Sequence, residues 1–536
     1  MPGRPRGPAS WGVKGRRMGA PLAVKGSREG DVHQSCTSWG VRVAMGVFLG
    51  YLVLATAAAL TKLPISNEAW FANPALTLIT GHYMGTPILE TSGTWLRGLE
   101  RYTYWIVPLH ILAQAAWYKV FGFGLFSLRL LSVAWGGVAL AAWWVILRRL
   151  TEHRGIALLG LVLIGTDFTF VMNAATGRMD MMCAALGFAG LAAYLALREQ
   201  NLAAAVLAGN ALGAASGLTH PCGILPFAGL WFLILYFDRS RLRGRFLAMA
   251  AVPYLAGAAA WGAYILRNPS TFWAQFTGNV SGIAGEYSGA SRLAGLQSPW
   301  AAIKAEILVR YLGNFGLSVR WTQAGHLKLL IPLAFIAGIL VLSARPQLRW
   351  QKGHRALLLL AAIYFFILTF FEGMKFDRYL VQTVPIFAAI LAVAIHSCVA
   401  NPFRFVPRWL VIAGAVLLVG VQLSVVASQV HRNAYRRDYL TAVEFLKSRM
   451  SPQALIMGPG ELAFQFGFEG QVIDDVRLGY YSRKTPDFVV VGDWYQKWFR
   501  TVAVRRPELY RYIERRLREE YVEVFRNNEY TVYSRR

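Results

Sequence analysis

Long apolar runs, broken by short polar linkers rich in arginine, fill the chain from Val41 to Gln429. The first runs from Val41 to about Thr61. Others follow at roughly 126–147, 155–173, 180–198, 202–218, 223–237, 246–266, 327–343, 356–371, 379–397 and 409–429. A helix crosses a bilayer with about 17–25 apolar residues. The pattern therefore predicts about eleven transmembrane helices, with the shorter runs flanked by Gly or Pro.

The linkers set the topology. Alternation places Arg148, Arg149 and Arg154, then Arg198, then Arg239 to Arg245, then Arg345 to Arg355, then Arg404 and Arg408 on one face. The positive-inside rule makes that face cytoplasmic and puts the N-terminus with it. Three long segments are then outside: 62–125, 267–326 and everything after about 431.

In the first outer segment, 74–80 and 107–121 read as short amphipathic helices. The density of Trp95, Tyr102, Tyr104, Trp105, Trp117 and Tyr118 suits an interfacial position, lying on the membrane rather than crossing it. The second outer segment carries a stretch of small residues, 278–295, with Glu286, Tyr287 and Arg292, and is expected to be a mobile loop.

Beyond 431 the period changes. Residues 454–457, 471–474 and 487–492 read as short strands, 507–520 as a charged helix, and 521–525 with 530–533 as a closing hairpin. The division that follows is a basic cytoplasmic arm at 1–40, a transmembrane domain at 41–430 with outer loops 62–125 and 267–326, and a soluble extracytoplasmic α/β domain at 431–536. The fold class is mainly α, a polytopic membrane protein with a small α/β C-terminal domain. The Gly/Pro-rich arm, with Arg4, Arg6, Lys14, Arg16, Arg17, Lys25 and Arg28, is expected to be disordered.

Composition agrees. Apolar residues are 55% of the chain and charged residues 15%, against about 25% charged in soluble proteins. The net charge of +27 would suggest nucleic acid in a soluble chain. Here the basic residues sit between apolar runs, so no nucleic-acid partner is implied. Four cysteines without a CxxC give no metal knuckle or disulfide framework. No P-loop, HExxH or dinucleotide fingerprint occurs.

Charges near membrane depth are costly, so those present are candidates for function. Asn67 and Glu68 follow the first run, where Ser66 or Asn67 could equally cap a helix with Glu68 in its first turn. Arg178 and Asp180 open a later run, where Asp180 could be a cap paired to Arg178. His220 precedes Pro221 in a hairpin and reads more readily as a hydrogen-bonded turn residue than as a ligand. Lys375 and Arg378 are positive on the outer face, which an anion held there would explain; pairing with Glu372 and Asp377 is the alternative.

In order along the chain these elements form a pattern: NEAWF at 67–71, YTYWIVPLHIL from Tyr102, KVFG at 119–122, Arg129-Leu130, GRMDMM from Gly177, GLTHPCG from Gly217, then Lys375, Tyr379 and Pro385. The pattern resembles the GT-C type membrane glycosyltransferases that use polyprenyl-phosphate sugars: protein O-mannosyltransferases, lipid A aminoarabinose transferases and rhizobial lipopolysaccharide glycosyltransferases. The resemblance covers about 41–397. Two positions depart from it: Asn67 stands where Asp is usual, and His220 where many relatives have Lys.

The resemblance implies sugar transfer from a polyprenyl-phosphate donor in the outer leaflet to an acceptor in the cell envelope, with inversion. It assigns Glu68 and Asp180 to catalysis as base or acceptor-orienting carboxylates. It assigns Asn67, Arg178, His220, Lys375, Arg378 and Tyr379 to substrate binding. A divalent metal at Glu68 and Asp180 is left open, and no other cofactor is implied. The expected location is the plasma (inner) membrane, multi-pass, with the C-terminal domain periplasmic or extracellular. A lipid-sugar flippase, or a non-catalytic lipid-sugar binding protein favoured by Asn67, is the alternative from another class.

Overall fold

The computed structural model describes residues 29–281, 294–317 and 325–536. Most of the glycine-rich stretch at 278–295, with Glu286, Tyr287 and Arg292, lies outside them, as does the arm up to residue 28. The chain divides into two units, Met1–Val43 and Ala44–Arg536. In the first, the described residues are helical from Glu29, well before the apolar run begins.

The second unit begins within that same helix, which ends at Thr61. Among the described residues eight helices are long and apolar enough to cross a membrane, or nine if the pair Arg154–Gly165 and Phe168–Ala174, bent by 61°, is one span. Leu202–Gly217 and Val384–Ala400 are apolar but shorter. Every predicted apolar run therefore coincides with a helix, while length and composition support a smaller number of full spans than eleven. Asp167 explains the bend: its carboxylate takes the Phe170 amide at 2.9 Å and so caps the second half of the pair.

Met179–Leu197 packs between Leu125–Thr151 and Leu202–Gly217. It is pinned at both ends. At one end Tyr194 and Arg198 donate to Asp238, which also pairs with Arg241 at 2.9 Å. At the other stand Arg178 and Asp180, about 28 Å away along a 19-residue helix. The chain then reverses through a tight turn, Pro221–Gly223. Glycine is required here: a Cβ on Gly223 would come within 2.5 Å of the Gly217 amide nitrogen.

The segment after the first helix departs from expectation. Its helix runs Ser66–Gly81 and contains Pro74 instead of starting at it. The start is fixed by Glu68, whose side chain reaches back to the Ile65 amide at 3.2 Å, as in the second half of a capping box. Neither Ser66 nor Asn67 is the cap. This helix and Pro108–Phe121 share a core of Phe71, Ala72, Ile106, Ile111 and Tyr118, which also takes Leu128 and Met179 from the neighbouring spans. Both helices are thereby packed onto the end of the bundle that carries Asp180.

The tail forms a five-stranded sheet, β1 (Ile456–Met457), β2 (Val472–Ile473), β3 (Phe488–Gly492), β4 (Tyr521–Arg526) and β5 (Tyr530–Arg535), in the order β2-β1-β3-β5-β4. The first three are parallel, and the closing hairpin is antiparallel. The FVVV run of β3 is apolar on both faces because both are covered. Phe488 and Val490 meet Tyr439, Leu446 and Ile88; Val489 and Val491 meet Trp498, Leu509 and Ile513. Trp498 belongs to a helix, Asp493–Arg505, that the strand pattern does not predict.

Candidate active site

The candidate residues gathered around one end of the bundle differ in whether their polar atoms are satisfied. Glu68 is fully buried and saturated. Its Oε1 accepts from Arg129 Nε and the Gly177 amide, both at 2.8 Å. Its Oε2 accepts from Arg129 Nη2 at 2.7 Å and the Ile65 amide at 3.2 Å. A carboxylate has about four acceptor positions, and all are taken. Burial pushes its pKa up, but the charge and hydrogen bonds of Arg129 outweigh this and hold it below the usual carboxylate range.

Arg129 is equally committed. Its remaining donors go to the carbonyls of Ala59, Lys62 and Leu63. The pair thus ties the end of the first span to the Ser66–Gly81 helix and to the turn before Met179. Asn67 beside it is half-buried, and its amide has no hydrogen-bond partner among the described residues.

Lys375 is enclosed too. Its ammonium pairs with Glu306 at 3.0 Å and donates to the Leu368 and Thr369 carbonyls at 3.0 and 2.6 Å. Glu306 also pairs with Arg310 at 2.8 Å, which pairs with Glu372 at 2.6 Å. The partner of the Lys375 ammonium is therefore Glu306 and not Glu372, which receives the Lys375 backbone amide instead at 2.8 Å. In this geometry three donors' worth of Lys375 hydrogen bonds are internal.

Asp180 is the contrast. It sits in the first turn of its helix, with Arg178 at the cap position, so it is not itself the cap. Its Oδ2 accepts from Arg178 Nε at 2.8 Å; among the described residues its buried Oδ1 has no hydrogen-bond partner. Buried Arg178 Nη1 and Arg378 Nε likewise have none among the described residues. The Arg178 guanidinium lies over the Phe71 ring at 4.6 Å, and that of Arg378 over Phe376 at 3.7 Å and near Tyr379 at 5.6 Å. Tyr379 also faces the His220 ring, with centroids 5.4 Å apart. The His220 Nδ1 accepts the Cys222 amide at 3.0 Å, so this side of the ring does cap the turn.

His110 completes the group. It lies within electrostatic reach of Asp180, Arg178 and His220. Burial first, then the neighbouring Arg178 and His220, lowers its pKa to about 3, so the ring is neutral. One nitrogen meets Gln114 at 2.9 Å; its Nδ1 and the Gln114 Oε1 have no partner among the described residues. Several adjacent buried polar atoms without partners are costly in a core. Together they outline a polar site with two guanidiniums to one carboxylate.

Glu68 has no free oxygen and Asp180 is tied to an arginine; among the described residues no three His, Cys, Asp or Glu side chains converge for an ion.

Sequence reading passed over His110, Gln114, Glu306 and Arg310, and gave Arg129 no role. Arg129 had a signal: a lone charge inside an apolar run, which must find a buried partner. His110 had a weaker one, a titratable ring on an otherwise apolar helix. Glu306 and Arg310, four apart in a mixed segment, had none that distinguishes them from a solvated pair.

Residues 107–264 match the model of the dolichyl-phosphate-mannose-protein mannosyltransferase family, a stretch that holds His110, Arg129, Arg178, Asp180 and His220. No curated protein matches the sequence. Among solved structures, ArnT from Cupriavidus metallidurans bound to undecaprenyl phosphate matches at 15% identity and a TM-score of 0.55, covering 93% of this chain and 98% of that one. Its apo state matches with a TM-score of 0.58 at the same identity and coverage. The oligosaccharyltransferase of Archaeoglobus fulgidus, in complex with Zn and sulfate, matches at 11% identity and a TM-score of 0.53, over 91% of this chain and 73% of that one. The chain thus has the fold of the GT-C type membrane glycosyltransferases, the class its sequence motifs resemble.

Proposed function

We propose that this protein transfers a sugar from a polyprenyl-phosphate-linked donor to a hydroxyl or amine of a cell-envelope acceptor, at the outer face of the membrane and with inversion. The observation that carries this reading is the Arg178–Asp180–Arg378 cluster: two guanidiniums to one carboxylate, with a buried N–H on each guanidinium and a buried carboxylate oxygen that have no partner among the described residues. Arginine forks suit phosphate, and a dry site strengthens their hold on it. The family-model match and the undecaprenyl phosphate bound by the ArnT structure agree with such a donor.

In this reading Arg178 and Arg378 hold the donor phosphate, and His220 and Tyr379 line its approach. Asp180 Oδ1 takes the proton from the acceptor. The acceptor atom forms its bond to the anomeric carbon as the bond to the phosphate oxygen breaks, and polyprenyl phosphate leaves with the electron pair. Attack opposite the leaving group inverts the centre. Neutral His110 donates or accepts a hydrogen bond beside Asp180. Glu68 positions Arg129 and the Gly177 turn and does not contact the acceptor. Lys375 sets the Glu306–Arg310–Glu372 network behind Tyr379. The N-terminus is cytoplasmic and the tail lies outside.

The test is sugar release from a panel of radiolabelled polyprenyl-phosphate sugars by purified protein with membrane extract, wild type beside Asp180→Asn. Transfer by wild type and its loss in the variant, with donor binding kept, is the expected result. Donor binding without transfer in wild type would instead favour the non-catalytic binding protein, the reading that Asn67 supports.

A further inference from the structure

The tail carries a second polar site, far along the chain from Asp180. A groove of about 980 Å³ opens between the helix Pro507–Glu519 and the loop after β2. Tyr480, Tyr512 and Tyr533 line it, with Arg483, Arg511 and Arg515 at its edges. These three arginines are exposed and have no ion-pair partner among the described residues. Glu508, Glu514 and Arg518 line it as well, so four arginines face two carboxylates, and Glu508 is paired with Arg506 at 3.1 Å.

The loop that forms one wall is built under strain. Leu478 and Arg483 have left-handed backbones, with φ of 48° and 58°, while Gly479 between them takes 82° at no steric cost. Strain of this kind persists where the surroundings over-determine it, and it gathers at binding sites. Two buried side chains do so here. Asp475 accepts from the Arg477 and Gly479 amides and the Ser482 hydroxyl, each at 3.0 Å. Arg516 donates to the Leu478 carbonyl, to Lys484 O at 3.1 Å, and to the Tyr512 hydroxyl at 2.8 Å. Arg516 thereby fixes the loop and one of the groove's rings together. Tyr512 in turn meets Tyr480 edge to face at 5.1 Å. The rings are set before anything binds, which lowers the cost of binding.

We infer that this groove binds an anionic saccharide, carboxylated or phosphorylated, with tyrosine faces against the sugar rings and Arg483, Arg511 and Arg515 on the acidic groups. A neutral glycan would leave the guanidiniums unused. A lone inorganic anion would leave the rings unused and fill little of the volume. The groove's wall also contacts the first connecting segment: Lys484 pairs with Glu90 at 2.8 Å, and the Tyr481 ring packs on Gly93. A saccharide bound here is thus held next to the segment that leads into the Asp180 site. Binding at the groove stands independently of the transfer chemistry proposed above.

The experiment is calorimetric titration of the full-length protein in zwitterionic nanodiscs with trigalacturonate, maltotriose phosphate, maltotriose and inorganic phosphate. Arg511→Ala/Arg515→Ala is compared with the charge-matched control Arg436→Ala/Arg449→Ala, whose residues lie off the groove. Both replaced arginines are on a helix surface, where alanine is well tolerated. At least one charged trisaccharide should bind, with affinity falling about tenfold or more in the groove variant and unchanged in the control. Arg511→Lys/Arg515→Lys should recover part of the loss. The inference is overturned by maltotriose binding as tightly as its charged counterparts, by inorganic phosphate competing equally mole for mole, by unchanged affinity in the groove variant, or by no binding of either charged trisaccharide.

Discussion

Two buried acid–arginine pairs stand at the same end of the bundle, and they differ in what they leave over. Glu68 and Arg129 use every donor and acceptor they have. Asp180 and Arg178 share one hydrogen bond and each keeps a buried polar atom unpartnered. A saturated buried pair fixes a conformation, because anything that draws on it must first break it. An unsaturated pair is held at a cost that only a ligand or water relieves. Under the function proposed above, the first pair is then a brace and the second the reacting group, although both look alike in the sequence: an acid near the start of a helix.

The strongest way to break this contrast is to remove Arg129. Stripping one partner from a buried pair leaves an uncompensated charge and costs about 3–5 kcal/mol. Arg129→Ala should therefore lower the Tm of the solubilised protein sharply, or abolish its recovery from the membrane. Glu68→Gln should lose stability and transfer together. If it lost transfer while melting like wild type, Glu68 would act directly on the acceptor and the division would fail.

Asp180→Asn is the reciprocal case. A general base contributes about 10²–10⁴ in rate, so transfer should fall by that order. The thermal midpoint should move less than in Glu68→Gln: asparagine can turn its oxygen to Arg178 and its NH2 to the vacant Oδ1 position, whereas glutamine at 68 would set its NH2 against a donor. An Asp180→Asn protein that transfers normally but melts early would reverse the two roles.

How much of this was legible follows from the kind of signal. Apolar runs and linker charges are local properties, so the helices and the strands near Ile456, Val472 and Phe488 could be read directly. Candidate residues could be named because charges at membrane depth are rare. Their satisfaction could not be read, because it depends on partners far along the chain: Glu68 to Gly177 spans 109 residues, and Arg310 to Glu372 spans 62. The start of the first connecting helix was misjudged for the same reason. Ser66, a natural cap, donates instead to Glu461, 395 residues away.

That contact sharpens the comparison in a third place, where the tail meets the Ser66–Gly81 helix. Glu461 accepts from Ser66 and Tyr530, and Asp474 from Trp70, Tyr495 and the Gly460 amide. Among the described residues neither acid has a cationic partner. Burial raises Glu461 to about 8 and Asp474 to about 6. An acid whose folded pKa is raised binds more protons folded than unfolded, so its contribution is complete below the unfolded value and is lost as pH rises through the folded one. Stability at the junction should thus decline from about pH 4 to 8, the reverse of the Glu68 pair, whose lowered pKa makes it fail toward acid. Hydrogen exchange of the 460–474 segment should quicken as pH rises beyond its intrinsic base dependence. Glu461→Gln should flatten that change. Protection that increases with pH would show that both acids are ionised when folded.

The smallest effect is expected at the rim of the same junction. Lys484 and Glu90 meet at 2.8 Å, but Lys484 is 46% exposed. Exposed pairs contribute about 0–1 kcal/mol. Glu90 would not be orphaned by the loss of its partner, since the Ser92 hydroxyl and amide donate to it at 2.7 and 3.0 Å. Lys484→Met should therefore leave the Tm within about a degree of wild type at physiological salt. A drop as large as that from Arg129→Ala would mean that the tail is held by charge at its rim. The buried acids would then be bystanders, and saturation would lose its value as the mark that separates a brace from a site.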